Sequence, residues 1–98
     1  MLETFTVDTF AGRIGDEFVV AYEGERLELR LHLASAWGEP ANPGGRAPFS
    51  VEFLGPPEPV LPQAIYALEH IDLDRFELFL VPLGPGDGGA MRYEAVFS

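Results

Sequence analysis

The chain has 98 residues, with sixteen acids against six bases (all arginine), a net charge of −10 and no cysteine. That balance repels phosphate backbones and anionic bilayers, so neither nucleic acid nor membrane is expected as a partner. Without cysteine there is no disulfide framework, thiol nucleophile or thiolate metal site.

A hydrophobic fraction of 47% with eight phenylalanines supports an ordered core, and the length suits one antiparallel β domain over 1–98. The N-terminus MLETFTVDTF lacks the basic and apolar regions of a signal peptide. The expectation is a cytoplasmic protein, or one incorporated into a particle assembled in the cytoplasm.

Residues 5–15 predict a short helix. Thr6 suits its N-cap, Asp8 its first turn, and Phe5 and Phe10 have the spacing of a hydrophobic staple. Phe10 and Ile14 would share a face, and Gly15 would end the helix in the left-handed conformation. Gly12 opposes it by about 1 kcal/mol relative to alanine.

Glu17–Tyr22 (EFVVAY) is β-branched and aromatic, a strand with Phe18, Val20 and Tyr22 on one face. After a turn at Glu23–Glu25, residues Arg26–Trp37 alternate. Leu27, Leu29, Leu31 and Leu33 face inward, and Glu28, Arg30 and His32 outward. Gly38–Ala47 (GEPANPGGRA) is a loop, since its prolines and glycines cannot continue a strand. Pro48–Leu54 is a strand with Phe49, Val51 and Phe53 inward, and Gly55–Pro59 is a stiff connection. Three further strands follow, Ala64–His70, Phe76–Pro82 and Arg92–Phe97. A turn at Ile71–Arg75 joins the first two and a glycine-rich loop the last two.

Six strands with short connections and no crossover helix predict an all-β fold. It is a small barrel or a curled sandwich, mostly up-and-down, whose one short N-terminal helix plugs an end or covers a face.

The last three strands carry apolar residues on both faces. Tyr66, Leu68, Phe76, Leu78, Leu80, Tyr93, Ala95 and Phe97 take the inner one. The opposite face collects Ile65, Ala67, Phe79, Val81 and Val96, diluted by Glu69, Glu77 and Glu94. Either the N-terminal helix covers this face or a bulge near Pro82 changes its facing. Failing both, it is an interface, built on Ile65, Phe79, Val81 and Val96, for a protein partner or for self-association.

Chemistry is sparse. His70, Asp72 and Asp74 (HIDLD) place three potential ligands near one turn. With no HExxH and no second histidine nearby, a solvated hairpin is the simpler reading, and no metal or cofactor is expected. GPGDGG at 84–89 is followed by neither Lys-Ser/Thr nor a helix, so it is a hairpin loop and not a phosphate cradle. His32 reads as a surface histidine, because no serine or threonine has a nucleophile's context. No catalytic set emerges, and a non-enzymatic protein is expected. Trp37 either marks the mouth of a ligand-binding barrel or, more simply, seals the end of the core.

The C-terminal half, PFSVEFLGPPEPVLPQAIYALEH followed by FELFLVPLGP and MRYEAVF, resembles a family of small bacterial proteins known only as a domain of unknown function. Phe10, Gly15 and Phe18 fit its N-terminal LTLEDF…G…F spacing, and Ala64 and Ile65 depart from an LPQGTY pattern. No catalytic residues come with the resemblance. Members are often encoded near proteins resembling phage tail-collar or tail-fibre proteins. The resemblance thus implies an accessory structural role in a tail-like assembly.

Overall fold

The computed structural model describes residues 4–40 and 43–97; Ala41 and Asn42, in the predicted 38–47 loop, lie outside the described residues. Among the described residues there is one α-helix, α1 (Val7–Ala11). The strands are β1 (Glu17–Tyr22), β2 (Glu25–Ala36), β3 (Phe49–Gly55), β4 (Ala64–His70), β5 (Asp74–Pro85) and β6 (Met91–Phe97). They close into a barrel in the order β1-β2-β3-β6-β5-β4, with β4 returning to β1 and every pairing antiparallel. No helix among the described residues is long and apolar enough to cross a membrane.

Hairpin chemistry sets most of this order. Glu23 and Gly24, with φ of 49° and 79°, form the two-residue turn between β1 and β2 whose twist matches its strands. At the β4–β5 turn the Leu73 N–H donates to the His70 carbonyl, and Asp74 takes a φ of 58°. That is a three-residue loop closed by a left-handed residue. The exception to an up-and-down order is β3 to β4. The proline-rich connection over 56–63 is too long and stiff for a hairpin. It delivers β4 to the open edge of β1, and β6 takes the place beside β3. The connection is anchored by Leu61, which is buried and whose N–H donates to the Tyr93 hydroxyl at 2.8 Å.

A barrel this narrow is filled by its own side chains. Seven of the eight phenylalanines are buried: Phe5, Phe10, Phe18, Phe49, Phe53, Phe76 and Phe97. Phe49 and Phe97 stack at 4.4 Å, and Phe10 sits among Phe5, Phe18, Phe49, Phe76 and Phe97 with ring centroids 5.5–6.5 Å away. Each buried ring contributes about 1.5–3 kcal/mol, and favourable ring pairs add ~0.5–1.5 kcal/mol. The opposite end is lined by tyrosines. Tyr22 and Tyr66 meet edge to face, and the Tyr66 hydroxyl donates to the Pro62 carbonyl. Gly55 packs tightly at this end: a Cβ there would lie 2.7 Å from Leu29 Cδ2 and 3.2 Å from Tyr93 Cε2, so those side chains would have to shift.

The helix is shorter than its sequence predicts. Thr6 takes the cap position, its N–H donating to Thr9 Oγ1 at 2.9 Å, but α1 stops at Ala11, before Gly12. Gly15 (φ 94°) does not end the helix. Its N–H donates to the Leu31 carbonyl, and the Leu31 N–H donates to the Asp16 carbonyl, so this segment already pairs with β2. Ile14 consequently shares no helical face with Phe10 and is exposed. The helix contacts β2 and β3, and its Phe10 plugs the phenylalanine-rich end.

One inward assignment on β2 is overturned. Leu31 pairs with Phe53 but Leu33 with Glu52, so a bulge at His32 inserts one residue into the ladder. Because facing alternates every residue, this turns Leu33 out to 52% exposure and half-buries Ala34. A second irregularity falls at Leu83, between the Pro82–Tyr93 and Gly84–Arg92 pairs. It lies beyond Phe79 and Val81 and leaves their facing unchanged.

Candidate functional site

The outer face of β4, β5 and β6 leaves a group of apolar side chains to solvent. Ile65 on β4 stands directly opposite Phe79 on β5, and Val96 on β6 shares their shallow depression. These residues are 66%, 48% and 57% exposed. Val81, the next outward residue of β5, is half-buried and pairs with Glu94. Phe79 is therefore the single phenylalanine outside the barrel. The helix does not cover this face, because it is spent on the barrel end.

The polar surroundings are ordered. Arg92 clasps Glu52 through two bonds, Nε at 3.2 Å and a terminal nitrogen at 2.9 Å, and this raises its guanidinium above the ordinary range. Arg46 donates to the Phe5 carbonyl at 2.8 Å and lies over the Phe49 and Phe97 rings. Arg75 faces Glu69 across β4–β5, and Arg26 approaches Glu69 at 3.6 Å.

The HIDLD turn is not a solvated hairpin at its histidine. His70 is buried, with its ring 4.5 Å from Phe18. Its Nδ1 accepts the Asp72 N–H at 3.0 Å, so Nε2 carries the proton and donates to Asp16 Oδ2 at 2.8 Å. With both nitrogens engaged, the ring ties the β4–β5 turn to the segment before β1. Sequence reasoning missed this partnership, although the inward series Tyr66, Leu68 continues to His70 by the same alternation. Among the described residues no three His, Cys, Asp or Glu side chains converge to hold a metal ion.

The other sequence candidates stay apart. Trp37 follows the last residue of β2, with its N–H on the Pro48 carbonyl at 2.9 Å. It is 50% exposed and does not seal the core; Phe5 and Phe10 close that end. His32 is exposed at the β2 bulge, near the Arg92–Glu52 pair. The glycine loop holds one short 3-10 turn, Asp87–Gly89, and the Gly86 N–H donates to the Ala90 carbonyl at 2.6 Å.

Together these features define a closed six-stranded antiparallel barrel with a side-chain-filled interior and one apolar outer face. Residues 5–97 match the family described as "Domain of unknown function (DUF6916)", and the chain belongs to that family. No curated protein and no solved structure shows significant similarity to it.

Proposed function

We propose that the chain is a non-enzymatic structural or protein-interaction module that docks onto a larger assembly through Ile65, Phe79, Val81 and Val96. The observation that carries this reading is the placement of Phe79. Every other phenylalanine is buried, yet this one stands half exposed between two exposed aliphatic side chains. Contiguous apolar surface of this kind marks interaction sites on soluble domains. The resemblance to proteins encoded near tail-collar and tail-fibre-like genes makes a phage-tail-like particle, assembled in the cytoplasm, the assembly of choice. A ligand-binding barrel with Trp37 at its mouth has less support, since the interior is occupied by its own aromatic side chains.

The test is tagged purification from the native host with mass spectrometry, using the parent and Phe79→Asp. A defined protein recovered with the parent and lost with the variant supports docking. A partner retained by Phe79→Asp would show that this face is not the contact. A small molecule recovered without any protein partner would favour the ligand-binding alternative.

A further inference from the structure

The charges around the apolar face say what kind of surface can cover it. The outward residues of β4–β6 lie in rows across the strands. Ile65 and Phe79, with Val96 beside them, form the central row. Ala67 and Glu77 pair in the row on one side, and Val81 and Glu94 in the row on the other. Glu77 and Glu94 therefore bracket Phe79, their rows about 13 Å apart along β5 at ~3.3 Å per residue. Of the nearby arginines, Arg92 holds Glu52 in a two-point bond, while Arg46, tied to the Phe5 carbonyl, lines the depression beside Phe79 and Glu77 and is the one cation among the described residues there. The chain as a whole carries a net charge of −10.

We infer that the occupant of this face is a protein surface with an apolar centre bordered by lysine or arginine, and not a second copy of this chain. The inference rests on the docking reading above. Two copies meeting here would set the four carboxylates of Glu77 and Glu94 against only two Arg46 cations around one small apolar centre, and would bring two bodies of charge −10 together, which like-charge repulsion disfavours. A basic partner removes both costs: its cations meet Glu77 and Glu94 while its apolar side chains cover Phe79. The negative field of the whole chain also speeds the encounter.

The test uses two fluorescent amphipathic helical peptides with the same leucine face, bordered by lysines in one and by glutamates in the other. Fluorescence anisotropy measures binding to the parent, to Phe79→Asp and to the Glu77→Lys/Glu94→Lys double variant, each checked for a parent-like melting transition. The lysine peptide is expected to bind the parent saturably and about tenfold or more tighter than the glutamate peptide. The double variant should invert that preference. Phe79→Asp should abolish binding, although it adds a negative charge that would strengthen any unspecific attraction. Equal affinities for the two peptides, both lost in Phe79→Asp, would overturn the charge inference and leave the docking face standing. Lysine-peptide binding that survives Phe79→Asp would overturn both, and binding of neither peptide would overturn the inference. A parent dimer in sedimentation velocity that Phe79→Asp dissociates would make the second copy the occupant and overturn it as well.

Discussion

Phe10→Ala tests the division of labour between helix and barrel. The ring is fully buried and has five phenylalanine neighbours, of which Phe5 and Phe97 are nearest at 5.5 and 5.6 Å. Truncating such a side chain costs about 3–5 kcal/mol, from lost transfer energy and the cavity left behind. A domain of this size has only about 5–15 kcal/mol in total. At roughly 4–8 °C per kcal/mol, Phe10→Ala should lower Tm by at least about 12 °C. The five-residue helix is far too short to persist alone, so amide exchange over residues 5–16 should accelerate beyond the global change. Phe79→Asp is the control. Its side chain is half exposed on the outer face, and its stability should stay within about 0.5 kcal/mol of the parent. Urea unfolding followed by circular dichroism gives both values. A loss below about 1 kcal/mol for Phe10→Ala, or an equal loss for Phe79→Asp, would refute the placement of α1 as the plug.

Further predictions concern the tyrosine end and His70. Tyr93→Phe strands the buried Leu61 N–H and should cost about 1–3 kcal/mol in the same unfolding assay; a loss of a few tenths would mean that the N–H finds another partner. Gly55→Ala should cost about 1–3 kcal/mol, because its methyl group must displace Leu29 and Tyr93 inside a filled barrel. Tyr66 has its phenol raised above the ordinary value of 10.0 by burial and, less, by Tyr93. The folded state thus prefers the protonated form. This contribution is full below pH 10.0, where the unfolded chain is also protonated, and is lost as pH rises through the folded value. Alkaline melts should show that decline, and Tyr66→Phe should flatten it; an unchanged slope refutes the assignment. Nitrogen-15 NMR at neutral pH should show His70 as the Nε2–H tautomer, and an Nδ1–H tautomer would contradict its bonds to Asp72 and Asp16.

Much of the barrel is legible in the sequence because period-two alternation is a local signal. Phe49, Val51 and Phe53 alternate with Ser50, Glu52 and Leu54, and the strand follows directly. The inner and outer sets on β4, β5 and β6 are readable in the same way, and the second apolar face with them. What fails is whatever depends on a distant strand. The bulge at His32 exists because β2 must match the curvature and register of β3, and nothing within ERLELRLHLASA announces it. The pairing of β3 with β6 is equally silent, since each strand is compatible with several neighbours. Asp16 and His70 are 54 residues apart in the chain, so their bond appears only once β1 and β4 lie side by side. The length of α1 escapes the sequence for a different reason. A staple and a cap start a helix, but Gly12 and the pairing of Gly15 and Asp16 with Leu31 end it early.

The distribution of aromatic side chains joins the fold to the proposed role. A six-stranded barrel is too narrow to keep an empty lumen, so its inward positions must be filled, and here phenylalanine and tyrosine fill them. Interior space is therefore committed to stability, and the helix is committed to one end by Phe10. The tyrosine end is held by Leu61 and Pro62, whose bonds to Tyr93 and Tyr66 pin the 56–63 connection. The proposed docking therefore falls to the outer wall. On that wall Arg92 is held by Glu52, Arg46 lines the depression, and Glu77 and Glu94 stand in the rows either side of Phe79. With two acids bordering the exposed Phe79 against the single Arg46, on a chain of net charge −10, the proposed discrimination between a basic partner and a second copy rests on that excess of negative charge.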